Sequence, residues 1–133
     1  MFHKQNLPTM EFVYEYAVIR YVPDIERQEF INVGLIMMCK RKRWVRIVLR
    51  FDEERIRLFD PVVDLQCLSR QLNAIEEIAL GNKAFGPVAM FEPEERFRWI
   101  TAVKSACIQT SRPHPGLTDN LEETFLHLVE RLV

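Results

Sequence analysis

The densest collection of groups able to do chemistry lies between residues 20 and 32, where Arg20, Asp24, Glu26, Arg27, Glu29 and Asn32 share one short stretch. Arginine beside carboxylate at this spacing makes a bidentate ion pair, and asparagine binds nearby backbone groups. In a functional reading these side chains line a polar pocket for an anion or a partner's peptide, with Arg20 and Arg27 as the anion ligands. In a plainer reading they fix a loop and satisfy its backbone. Asp24 with Glu29 would be the acid–base pair of a small hydrolase or nuclease, yet two carboxylates in one loop name no reaction.

A second set is basic. Lys40, Arg41, Lys42 and Arg43 run consecutively, followed by Trp44, Arg46 and Arg50. Alternation along a strand puts Arg46 and Arg50 on the face of Trp44, where guanidinium and indole could track a phosphate backbone and stack a base. The set Arg41, Arg43, Trp44, Arg46 and Arg50 is thus a candidate nucleic-acid surface. A net charge of -1 argues instead for a solvated hairpin end whose charges block edge-to-edge aggregation.

The nucleophiles and metal ligands are scattered. His3, His114 and His127 lack a second ligand at metal spacing, and Cys39, Cys67 and Cys107 contain no C-x-x-C, so no metal or cofactor is expected. Odd, widely spaced cysteines read as reduced, buried thiols, although a Cys107–His114 dyad stays open. Ser69, Ser105 and Ser111 lack a G-x-S-x-G context, and the four glycines build no phosphate cradle. A third candidate is apolar: Phe85, Met90 and Phe91 fall in a loop. Met37 and Met38 are consecutive in a strand and so point to both faces of a sheet. One such face is a place for another protein chain or a second copy.

These groups need a scaffold. With 133 residues, 48% of them hydrophobic, one domain can bury about two-thirds of its unfolded surface. Residues 1–10 read as a flexible leader and 11–133 as the domain. Strands are expected over Glu11–Val22, Glu29–Lys40 and Trp44–Phe51, with Gly34 at a bulge or close approach. The first should be interior, since both its faces are apolar. Lys40–Arg43 would close a hairpin without the usual glycine or asparagine. Residues 55–59 are a short strand or a helical turn.

Asp60-Pro61 reads as the cap of a helix carrying Val62, Leu65, Leu68, Leu72, Ile75 and Ala79, stopped by Gly81. Residues 83–92 form a loop with a short strand near Val88–Phe91. A helix after Pro93 places Phe97, Ile100, Val103 and Ala106 or Cys107 inward. The SRPHPG segment is a connection, and Asp119-Asn120-Leu121-Glu122 caps a last helix burying Leu121, Phe125, Leu128, Val129 and Leu132. Strands first and helices after give an α+β fold: an antiparallel sheet of three to four strands, one face covered by about three helices. No export signal or membrane span is expected, and with these cysteines that favours the cytoplasm and no membrane partner.

The segment Tyr14–Gly34 resembles the signature of a family of small bacterial proteins, domain of unknown function 3037. There a strand ending R-Y-x-P-D is followed by R-x-E-x-x-N-x-G. The matching positions are Arg20, Tyr21, Pro23, Asp24, Arg27, Glu29, Asn32 and Gly34, eight within fifteen residues. The C-terminal stretch is similar to the family's proline-containing turn and final helix. The family's turn after Arg27 often carries glycine, where this chain has Gln28. The resemblance implies no activity. It implies an accessory or regulatory role, since such proteins are often encoded beside a HipA-like protein kinase. Arg20, Tyr21, Asp24, Arg27, Glu29 and Asn32 become the candidate partner- or anion-binding set.

Overall fold

The computed structural model describes residues 10–104 and 106–133. Residues 1–9 of the expected leader, with His3, and also Ser105 lie outside the described residues. The chain opens with strand β1 (Phe12–Tyr21), whose aromatic and β-branched residues suit a pleated surface. It pairs antiparallel with β2 (Ile31–Cys39), which pairs with β3 (Trp44–Leu49). The hairpin between β2 and β3 closes with the Arg43 N–H on the Lys40 carbonyl at 3.0 Å. In place of glycine, Arg43 itself takes a left-handed φ of 49°.

Gly34 fills both expected roles. Ile19 faces Gly34 while Arg20 faces Asn32, so Val33 is the extra residue of a β-bulge. The bulge changes the phase of the alternation. Val33 joins Ile36 and Met38 in one core, and Leu35, Met37 and Cys39 line the other. A Cβ at Gly34 would stand 2.6 Å from the Val48 carbonyl oxygen and 2.7 Å from Leu49 Cδ2, so only glycine fits.

After β3, α1 (Glu53–Phe59) is helical rather than extended, capped by Asp52, which accepts from the Arg55 N–H. Helix α2 spans Leu65–Ala79 and starts four residues later than Asp60-Pro61 suggested. Its cap is Asp64, which accepts from the Cys67 N–H at 3.0 Å. Proline holds the preceding Asp60 extended (φ -136°, ψ 93°), and Asp60 ends α1 instead. Val62 therefore falls off the stripe and is 90% exposed. Leu68, Leu72 and Ala79 are buried as the periodicity required, and Gly81 follows with φ 80°.

The 83–92 loop holds two 3-10 turns, Lys83–Phe85 and Pro87–Met90, and no strand at Val88–Phe91. Helix α3 (Pro93–Thr101) buries Phe97 and Ile100. It stops short of Val103, Ala106 and Cys107, because the Lys104 ammonium ties off the carbonyls of Trp99 and Ile100 at 2.7 and 3.0 Å.

The proline-rich segment is the largest departure from expectation. Strand β4 (Ile108–Thr110) lies just before it and β5 (His114–Thr118) begins within it, both antiparallel to β1 along its free edge. An edge strand tolerates proline where the N–H would point away from the ladder. Between them Ser111 preserves the pairing: its N–H donates to the Val18 carbonyl at 2.8 Å, and its hydroxyl accepts from the Val18 N–H at 2.9 Å. The sheet thus has five strands with β1 interior, in the order β3-β2-β1-β4, β5 also on β1.

Helix α4 (Leu121–Leu132) is capped by Asn120, which accepts from the Glu123 N–H at 3.1 Å. It buries Leu121, Phe125 and Leu128 on the second face of the sheet against Val18, Leu35, Met37 and Cys39. Helices α2 and α3 cover the other face over Ala17, Ile19, Tyr21, Ile36 and Met38. The fold is α+β with helices on both faces, not one. Met37 and Met38 do point to opposite sides, but the second side is filled by the chain's own last helix.

Candidate partner-binding surface

The motif residues between β1 and β2 go to separate places. Proline at 23 ends β1, and Asp24 shapes the turn: its carboxylate accepts from the Glu26 N–H and its carbonyl from the Arg27 N–H. Gln28 occupies a left-handed φ of 58°, the conformation for which glycine is best suited. Arg27 and Glu29 form an ion pair at 2.8 Å with both side chains about two-thirds exposed. The pair raises the Arg27 pKa, chiefly through the hydrogen bond to Glu29. Each of the two carboxylates, Asp24 and Glu29, thus has its own partner.

Two motif residues serve the interior. Tyr21 is buried, and its hydroxyl donates to Asp60 Oδ2 at 2.6 Å. Burial first, then that hydrogen bond and the Asp60 charge, push the phenol well above its ordinary range. Asn32 donates through Nδ2 to the Leu132 carbonyl at the end of α4, while its own carbonyl accepts from Arg55 of α1.

Arg20 is different. It lies on the α4 side of the sheet, opposite in phase to Tyr21, with its guanidinium 4.0 Å over the Phe30 ring. Its Nε–H is buried without an acceptor, and among the described residues no carboxylate pairs with it. The loop separates two clefts. One, of about 250 Å3, runs between Asp24, Arg27, Glu29 and Phe59. The other, of about 360 Å3, is lined by Arg20, Gln28, Gln109 and Lys104 with apolar walls from Ile25, Phe30 and Val103. The structure therefore parts Arg20 from Arg27 and does not make one anion pocket of them.

Around these clefts stand apolar side chains that motif reasoning missed. Ile25 and Phe30 are 44% and 43% exposed, and Val103 is fully exposed. The sequence signal was present: isoleucine within P-D-I-E-R has no hydrophobic periodicity to join. Of the third candidate set, Phe85, Met90 and Phe91 are exposed on the 3-10 turns.

The basic hairpin is largely neutralised by acidic residues from the helices and their flanks. Arg43 pairs with Glu92, Lys40 lies 3.6 Å from Glu94, and Arg46 pairs with Glu122 at 2.8 Å. Trp44 donates to the same Glu122 and meets Phe125 edge-on at 6.3 Å, which removes it as a stacking platform. Arg50 donates to the Val133 carbonyl, and Arg41 and Lys42 lie near Phe12. At the turn end of this hairpin a cleft of about 500 Å3 mixes Glu11, Glu15 and Glu94 with Lys40 and Arg41. Arg98 pairs with Glu15 and, chiefly by hydrogen bonding, holds that carboxyl below its usual range.

Cys107 and His114 form no dyad. Cys107 lies beside Val22, whose N–H donates to its carbonyl, whereas His114 pairs with Tyr16. These points lie six positions apart along extended chain, roughly 20 Å. Cys107 donates instead to Gln71, which donates to Cys67. Burial first, then Cys67, push the Cys107 thiol up. Among the described residues no three His, Cys, Asp or Glu side chains group to hold a metal, and no helix is long and apolar enough to cross a membrane.

A family model described as "Protein of unknown function (DUF3037)" matches residues 16–133. No curated protein and no solved structure matches the chain.

Proposed function

This chain belongs to the DUF3037 family, and from that premise we propose that it is a non-enzymatic accessory or regulatory module that binds another protein through the β1–β2 loop. The observation that carries the reading is the company kept by the loop. Exposed Ile25, Phe30 and Val103 surround a cleft whose arginine has no carboxylate partner among the described residues, while Asp24 and Lys104 are spent on the backbone and Arg27 on Glu29. Exposed apolar side chains around a polar anchor are the ingredients of an interface core.

The hydrolase or nuclease reading draws little support, because Asp24, Glu29 and Asp60 serve the Glu26 N–H, Arg27 and Tyr21 respectively. Nucleic-acid binding is weakened in the same way by Glu92, Glu94 and Glu122. A kinase of the HipA-like class is the partner to test first, on the strength of the family's usual genetic neighbours. A photo-crosslinking residue at Ile25 should trap the co-expressed kinase, and one at exposed Leu126 of α4 should not. Ile25→Asp should lower capture at least about tenfold. Crosslinks of equal yield at both sites, or capture unchanged by Ile25→Asp, would remove the loop from the interface. Light scattering separates a second copy of this chain from a foreign partner.

A further inference from the structure

We propose that the Arg20 cleft is a receptor for a carboxylate side chain flanked by an apolar residue, presented by a partner protein. This rests on the protein-contact reading above and specifies its chemistry. A guanidinium carries five donors in a planar fork. Among the described residues the Arg20 Nε–H is buried with no acceptor and no carboxylate pairs with it, and its guanidinium carbon lies 4.0 Å over the Phe30 ring. Asn32, which faces Arg20 across the sheet, holds the other orphaned buried atom, its Oδ1, so what the cleft offers is the rest of the fork, where a carboxylate meets no acidic competitor among the lining residues.

The surroundings select the ligand. The cleft bordered by Arg20, of about 360 Å3, is lined by no acidic residue. Gln28 and Gln109 are its neutral polar members, and Val22, Ile25, Phe30 and Val103 are apolar. The second cation, Lys104, is already bonded to the carbonyls of Trp99, Ile100 and Ala102. Burial lowers its pKa. One unmatched guanidinium suits one negative charge, not a phosphate dianion. The apolar walls suit a ligand with hydrocarbon beside the charge. Packing over Phe30 restrains the guanidinium in advance, which reduces the entropy lost on pairing.

The test compares two blocked tripeptides, acetyl-Phe-Glu-Phe-amide and acetyl-Phe-Gln-Phe-amide, which differ only in the charge. Binding is followed by the NMR signals of the Arg20 Nε–H and the Gln28 and Gln109 side-chain amides. The glutamate peptide should bind at least about fivefold more tightly and move the Arg20 signal most. Arg20→Gln should erase the difference between the peptides. Arg20→Lys, which keeps charge but loses the fork, should leave less than half of it. Equal affinity of the two peptides for the unaltered protein overturns the proposal without recourse to any variant. So does tighter binding of inorganic phosphate than of the glutamate peptide. If the peptides are not distinguished while kinase capture still depends on Ile25, the carboxylate assignment falls alone. If they are distinguished while capture ignores the loop, the protein-contact function falls.

Discussion

The hydroxyl of Tyr21 at the end of β1 donates to Asp60 at the junction of α1 and α2, 2.6 Å away and thirty-nine residues along the chain. The bond engages Oδ2 while Oδ1 accepts from the Val62 N–H, and the start of α2 is left to Asp64. Tyr21→Phe should cost about 1–2 kcal/mol in urea denaturation. The folded-state phenol pKa lies above its unfolded value, so the stabilisation is complete below about pH 10 and lost as pH rises above it. The variant should show a shallower alkaline limb than the unaltered protein. Peptide binding at Arg20 should not change, since Tyr21 faces the opposite core.

Glu15 gives the complementary behaviour in acid. Arg98 depresses its folded-state pKa, so the stability it contributes is present above the unfolded value, near 4.3, and is lost as pH falls through the lower folded value. Glu15→Gln should be less stable than the unaltered protein at neutral pH, and the gap should close below about pH 4. Thermal melts across that range measure it.

Among the described residues two non-glycines hold left-handed backbone, Gln28 at φ 58° and Arg43 at φ 49°. Gln28→Gly should stabilise the protein by up to about 1 kcal/mol, because relief of the steric cost outweighs the added freedom of the unfolded chain. Arg43→Gly should gain less, since it also loses the pairing with Glu92. Denaturation midpoints of the two variants separate these contributions.

Gly34→Ala and Gly116→Ala should differ in severity. At Gly34 the new methyl meets the Val48 backbone carbonyl and Leu49, and a loss of about 3 kcal/mol or more is expected. At Gly116 it meets the ring of Tyr14, a side chain that can swing aside, so the loss should be about half as large. Chemical denaturation of both variants checks the order.

Neutralised charge on the hairpin predicts that the protein leaves heparin by about 0.15 M salt. Glu122→Ala frees Arg46 and Trp44 together and should raise that elution point. Retention well above it in the unaltered protein would restore the nucleic-acid reading.

Where a single physical rule governs a residue, its role was readable from the sequence. Alternation assigned Val45 and Ile47 to one face of β3 and Trp44 and Val48 to the other. Gly34 announced both its bulge and its close approach. The errors arose where local signals compete with distant partners. Asp60-Pro61 has the chemistry of a helix start, but its carboxylate holds only a local turn at Val62 with one oxygen while Tyr21, far away in the chain, takes the other. Proline in SRPHPG correctly excludes helix, yet says nothing about whether β1 has a free edge to offer. The apolar second face of the sheet was visible, while its occupant, α4, could be known only from the three-dimensional path. Within the motif, residue types revealed a loop of charged groups. They could not distinguish Arg27, satisfied two residues later by Glu29, from Arg20, whose neighbours come from positions 30, 103 and 109.

The placement of β4 and β5 has a consequence for how the molecule is made. β1 leaves the ribosome before the strands that complete its second side, residues 108–110 and 114–118, and the Val18–Ser111 bond spans ninety-three positions. Until then a nascent chain can close the β1–β2–β3 meander but carries an open, aromatic-rich margin able to zip onto a neighbour. Slow, long-range closure should therefore limit the folding rate, and growth temperature and chaperone supply should govern the soluble yield more than the final stability does.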